Sequence, residues 1–124
     1  MAYTHEWKNE GVYIRYFDEL TSEDLIKSNS LMIGKREFDV IKYIITDFSD
    51  VTNVEVGDKD VNISTLFAEK VNPYNKYIKV ALVSDNINLQ PLIQKYIENT
   101  LNIIPHAQQK SFSNMNEAKI WVTS

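Results

Sequence analysis

Five carboxylates, Asp47, Asp50, Glu55, Asp58 and Asp60, crowd into one short stretch, and clustered acids bind a hard cation or do acid/base work. Asp58, Asp60, Asn62 and Glu69 even occupy calcium-loop positions one, three, five and twelve. Position six of such a loop requires Gly for its sharp turn, however, and here it is Ile63 within helical apolar spacing. The stretch therefore reads as an acid-rich helix start, in which Asp58 or Asp60 satisfies free amides and suits the helix dipole. Nucleophilic catalysis has no matching pattern: there is no Gly-x-Ser-x-Gly, and His5 and His106 fall in strand-like edge segments. Gly11, Gly34 and Gly57 are isolated, so no glycine-rich turn cradles a phosphate. The aromatics Trp7, Tyr13, Tyr16, Phe17, Tyr74, Tyr77, Tyr96 and Trp121 can line an apolar pocket, although aromatics at strand and helix spacing also serve simply as core.

The elements that must hold these residues alternate. Tyr3–Lys8 and Val12–Phe17 flank Asn9-Glu10-Gly11 as an antiparallel hairpin, with Val12, Ile14 and Tyr16 facing the core and Arg15 facing solvent. Thr21 caps a helix with Asp24 answering three positions later; Leu25, Ile26, Met32 and Ile33 supply its apolar side and Gly34 its stop. Val40–Phe48 reads as a central strand covered on both faces. A helix over Val61–Val71 ends at Asn72-Pro73-Tyr74-Asn75, and a second buried strand follows at Tyr77–Ser84. Leu89–Ile104 is a long amphipathic helix with Pro91 in its first turn. A short extended piece over His106–Phe112 and a final helix capped by Ser113 or Asn114 complete the order β-β-α-β-α-β-α-β-α. The expected fold is α/β: one domain over residues 1–124, with a mixed, mostly parallel sheet of about five strands.

Composition fits this class. The chain has 124 residues, 44% hydrophobic and 24% charged, with no Cys, which excludes disulfides, thiolate catalysis and cysteine-held metals. A net charge of −4 offers nothing to nucleic acid phosphates. No apolar run is long enough to span a membrane, and the N-terminus lacks a signal-peptide pattern, so a cytoplasmic protein without a cofactor is expected. For the same reason the sequon Asn62-Ile63-Ser64 carries no meaning.

Gly11-Val-Tyr-Ile-Arg-Tyr-Phe, Leu20-Thr-Ser-Glu-Asp-Leu, Tyr43-Ile-Ile-Thr-Asp-Phe-Ser-Asp-Val, Lys79-Val-Ala-Leu-Val-Ser-Asp and Phe112-Ser-Asn-Met-Asn-Glu-Ala-Lys-Ile-Trp-Val together resemble the SpoIIAA-like group of STAS-type domains. The resemblance spans nearly the whole chain. It implies a small sandwich of helices on a mixed sheet, similar in shape to lipid-binding CRAL-TRIO domains. Its better-known relatives are anti-sigma-factor antagonists, in which a serine at the start of the next helix is phosphorylated within Asp-Ser-Ser-Gly. An ungapped continuation places Glu55-Val56-Gly57-Asp58 there, without a serine, so the phosphorylation switch does not carry over.

Three functions follow as expectations. The first is a non-enzymatic regulatory module binding a protein partner through the loop after the central strand: Asp47, Ser49, Asp50, Thr52, Asn53 and Asp58, with Ser84, Asp85 and Asn86 beside it. The second is a carrier or sensor of a small apolar ligand held by the aromatics, and the third, lowest in rank, is an enzyme. A hairpin face carrying Tyr3, Trp7 and Tyr13 is as able to pair in a homodimer as to stay free.

Overall fold

The computed structural model describes residues 2–124. Strands β1 (Tyr3–Trp7) and β2 (Gly11–Thr21) form the antiparallel hairpin. Its turn needs Gly11, because a Cβ there runs into the Tyr43 ring. The outward face of the hairpin carries Thr4, Glu6, Tyr13 and Arg15, whereas Tyr3 and Trp7 sit on the other side and pack into the core. The aromatic dimer face expected of this hairpin is thus not present as a surface.

Helix α1 (Ser22–Ser30) is capped as its sequence indicates, with Thr21 Oγ1 accepting the Asp24 amide at 3.2 Å. The expected return contact goes elsewhere: the Asp24 carboxylate accepts the Ala2 amide at 3.1 Å. The chain then turns at Gly34, whose φ of +79° is a left-handed conformation that glycine adopts without strain. A short extra helix follows, α2 (Arg36–Val40), anchored by buried Phe38. Val40, expected to begin the central strand, ends α2 facing solvent, so the observed order is β-β-α-α-β-α-β-α-β-α. Two carbonyls that this corner leaves free, those of Phe38 and Ile41, both accept from Asn75 Nδ2 at 2.8 Å.

The central strand β3 runs from Tyr43 to Glu55, seven residues past its expected end at Phe48. The segment read as a loop is therefore strand, and the reason is pairing. Beyond Asp47, where β4 (Lys79–Val83) stops, β3 continues alongside β2, from Phe17↔Asp50 to Thr21↔Glu55. Two register shifts, between Arg15 and Phe17 and between Asp18 and Glu19, each put one extra residue into β3. Val51 and Val54 consequently both pack into the helix-side core although they are three apart, which hides the period of two that marks a strand. Asp18, beside the second bulge, has φ +58°.

Helix α3 (Asp58–Val71), a 3-10 turn (Asn72–Tyr74), α4 (Gln90–Ile103), β5 (Gln108–Phe112) and α5 (Met115–Val122) follow. The sheet order is β1-β2-β3-β4-β5, with all pairs parallel after the hairpin. Because spatial order equals chain order, successive right-handed crossovers deliver their helices to one face of the sheet. Residues of α1, α2 and α4 accordingly share one apolar cluster with Ile14, Tyr16, Leu20, Phe48 and Leu82. Helix α5 follows the last strand and covers the other face, where Ala118 and Val122 meet Ile45, Ala81 and Val83. Lys79 Nζ holds that helix by its end, donating to the Trp121 and Ser124 carbonyls at 3.1 and 3.0 Å.

One edge contact makes stability depend on pH. In β1, half-buried His5 lies 3.1 Å (Nε2) from Ser28 Oγ, which is fully buried on α1. Burial, assisted by the Lys35 charge, pushes the His5 pKa below its ordinary 6.5, against the opposing effect of the Ser28 contact. The folded state therefore resists a proton that the unfolded chain accepts. The contribution is complete above pH 6.5 and is lost as the pH falls through 6.5 toward the folded value. Thermal melts are expected to lose stability between about pH 7 and 5, and His5→Gln should flatten that part of the profile; an unchanged slope would place the effect on other groups.

Candidate functional site

The nine surface residues expected to meet a partner do not form one surface. Asp47 is interior: the Tyr13 hydroxyl donates to Oδ2 at 2.5 Å and the Ser49 amide to Oδ1 at 2.9 Å. Burial, and next the bond to Asp47, hold the Tyr13 proton on well above the usual phenol range, so Tyr13 stays a donor. Ser84 is also interior, with its amide on the Phe112 carbonyl and its Oγ accepting the Asn86 amide at 3.1 Å. These two residues build the ends of β3 and β4. Asp85 is exposed, and half-buried Asn86 accepts the Asn88 amide at 2.8 Å.

Ser49, Asp50, Thr52 and Asn53 do lie together, exposed along the part of β3 that outruns β4. Asp50 accepts from Arg15 Nε at 2.7 Å, and the Arg15 guanidinium sits over the Phe17 ring. Asn53 donates to Glu55 at 2.8 Å and Thr52 to the Asp18 carbonyl at 3.2 Å. Asp58 belongs instead to the start of α3, paired with Lys95 of α4 at 3.2 Å. Asp60 is the helix-start acid of the sequence reading, accepting the Gly57 amide at 2.9 Å. Among the described residues no group of three His, Cys, Asp or Glu is placed to hold a metal.

A second site lies between the sheet and helices α1, α2, α3 and α4: a pocket, partly open to solvent, with a volume of about 180 Å³. Its floor is Ile14, Ile44, Thr46, Val80 and Leu82, and its walls include Leu25, Met32, Phe38, Ile93 and Tyr96. Its roof is the inner stripe of α3, Val61, Ser64, Phe67, Ala68 and Val71, spaced at helical period. Helix α3 makes its main backbone contacts with α1, α4 and the 3-10 turn, and its Val71 packs against the core cluster on the sheet. Ile44 and Thr46, in the middle of the sheet and under helices, keep surface that a water molecule can reach, as do Ser64, Phe67 and Ala68.

Of the aromatics expected to line a pocket, Tyr16 and Tyr96 do. Trp7 packs at the edge of that core, Tyr13 and Trp121 lie on the α5 face, Phe17 is under Arg15, and Tyr74 and Tyr77 are exposed. Reading the sequence by residue type missed Thr46, Ser64, Thr100 and Gln109, polar residues of the lining. A signal was there: Thr46 interrupts Ile44-x-x-x-Phe48 on the core side of its strand, and Ser64 interrupts the apolar stripe of α3.

No family model and no curated protein matches the sequence. Solved structures do match. The anti-sigma factor antagonist SpoIIAA in its unphosphorylated form superposes with a TM-score of 0.58 at 15% identity, covering 98% of this chain and 97% of that one. The Bacillus cell fate determinant SpoIIAA in its phosphorylated form gives 0.60 at 18%, covering 98% and 99%. An uncharacterised DUF3478-family protein with a SpoIIAA-like fold, from Shewanella loihica PV-4, gives 0.56 at 14%, covering 98% and 92%. The likeness is one of fold: this chain has the SpoIIAA-like, STAS-type α/β architecture.

The two kinds of acid at the sheet end respond differently to substitution. Tyr13→Phe leaves Oδ2 of the buried Asp47 carboxylate without its donor and is expected to cost about 1–3 kcal/mol in urea melts. Asp50→Ala removes an exposed ion pair and should cost less than about 1 kcal/mol. Equal losses would show that Asp47 does not depend on Tyr13.

Proposed function

We propose that this chain is a non-enzymatic regulatory module that acts by binding, and that the element which binds is its hollow core. The observation that carries this reading is the largely apolar chamber between α3 and the sheet, where a domain of this size ordinarily packs solid. An apolar cavity of roughly 150 Å³ is known to stay dry and take up benzene, so this one suits an apolar molecule of about that size bearing a short substituent. A regulatory rather than catalytic role is supported by the state of the polar groups. Asp60 is tied to the Gly57 amide, and the pair of buried Ser28 and half-buried His5 has no carboxylate in hydrogen-bond contact. Helix α3 opens on Gly57-Asp58-Lys59-Asp60 without a hydroxyl, so we read regulation here as not using a phosphoserine at that point.

Native mass spectrometry of freshly purified protein is expected to show a bound small mass or, failing that, uptake of added 4-ethyltoluene. At ten times its Kd that compound should raise the melting temperature by about 4–6 °C. Ala68→Leu fills the chamber from the roof and should abolish the rise while leaving the fold intact. A wild-type melting temperature that does not respond would end this reading.

A second reading has its own observation, the exposed Ser49, Asp50, Thr52 and Asn53 on the unshared end of β3. That strip is the remaining part of the expected partner surface, and a protein partner, as SpoIIAA has in an anti-sigma factor, would meet acids and amides there. Pull-down from cell extract should recover a partner that is lost with Asp50→Ala plus Asn53→Ala. Retention by the double variant would count against the strip. Among the described residues no helix is long and apolar enough to cross a membrane.

A further inference from the structure

Gln109 enters the chamber from β5, opposite Val80 in the register, and reaches across it to α4, where its Nε2 donates to Tyr96 Oη at 3.1 Å. Its other amide atom, Oε1, is out of solvent and accepts no hydrogen bond. Among the described residues it is the buried side-chain polar atom left without a partner. Such an atom destabilises the fold if nothing pairs with it. The neighbouring polar groups do not relieve it: Thr100 Oγ1 donates to the Tyr96 carbonyl and Asn75 to the Phe38 and Ile41 carbonyls. Tyr96 Oη takes the Gln109 amide proton and still has its own O–H to give. In the wall of this largely apolar chamber an unpaired amide oxygen thus stands beside the Tyr96 hydroxyl, with the Thr46 and Ser64 hydroxyls elsewhere in the lining.

We infer that the ligand of the hollow core is a small apolar molecule carrying one neutral hydroxyl, an alcohol or phenol, whose O–H donates to Gln109 Oε1 and whose oxygen accepts from Tyr96. This rests on the hollow-core reading and specifies its chemistry. A hydroxyl is the simplest group that both gives and takes a hydrogen bond. An ionised carboxylate cannot give one to Oε1, and the cation in the lining, Lys76, is exposed at the rim. A hydrocarbon would fill the space and leave Oε1 as it is.

The test compares two probes of one shape, 4-ethylphenol and 4-ethyltoluene, in which a methyl replaces the hydroxyl, against wild type and Gln109→Leu, by calorimetric or NMR titration. The preference for the phenol, expressed as the ratio of the two Kd values, is expected to fall about fivefold or more in Gln109→Leu. Uptake of 4-ethyltoluene itself should persist, which shows that the variant is folded and the chamber open. An unchanged ratio with both probes binding overturns the hydroxyl inference and leaves the hollow-core reading standing. Absence of binding by either probe to wild type overturns both. A wild-type preference for 4-ethylbenzoate over 4-ethylphenol overturns the inference in favour of an acid whose charge meets Lys76. Should Gln109→Leu fail to fold, Gln109→Met serves as the second variant with the same expected fall.

Discussion

Continuous pairing of β2 with β3 is the interaction from which the rest of this architecture follows. β2 and β3 stay together from Gly11↔Tyr43 to Thr21↔Glu55, while β1 and β4 each share five residues with their neighbour. Two bulges in β3 allow that length by absorbing residues and strengthening the twist. The chain leaves β3 at Glu55 well beyond the end of β4, reverses at Val56 and Gly57, and starts α3 from there. Helix α3 then makes its packing with α1, α4 and the 3-10 turn, and the chamber lies beneath it. The exposed strip and the hollow core, different as they are, both trace to one strand that outruns its neighbour.

Buried polar side chains among the described residues are closed off by protein, with one exception. At the ends of β3 and β4, Asp47 is closed off by Tyr13 and the Ser49 amide, and Ser84 by Phe112, Asn86 and Gln90. Such groups hold strand ends in place and have nothing left to offer a ligand. On the helix side, Gln109 keeps an acceptor in reserve within apolar surroundings. Acids catch the eye in a sequence, yet the carboxylates here are either satisfied internally or solvated. The informative polar atom belongs to a neutral amide in the least hydrophobic strand of the sheet.

Much of the architecture is legible from local pattern. The hairpin, the Thr21 cap, the amphipathic α3 and α4 and the Asn114 cap of α5 all stand where residue chemistry places them. The strand extension is not, because bulges at Ser49 and Thr52 break the alternation that identifies strands, and Ser-Asp-Val-Thr-Asn looks like turn chemistry. Helix α2 is too short for periodicity to register, and Val40 beside Ile41 mimics a strand start. The chamber is invisible for a deeper reason: Ile44, Val80, Phe67 and Ile93 have the residue types of a filled core, and nothing in composition says how far a helix stands from the sheet.

Because α3 makes its main backbone contacts with α1, α4 and the 3-10 turn, its docking is separated from the cooperativity of the sheet. The ladder hydrogen bonds of β2, β3, β4 and β5 form one unit whose opening is close to global unfolding. Lifting α3 engages a different set of contacts: its packing on α1 and α4 and the exposed Asp58–Lys95 pair. Separation of α3 from its neighbours would be a sub-global opening in which the strands keep their register.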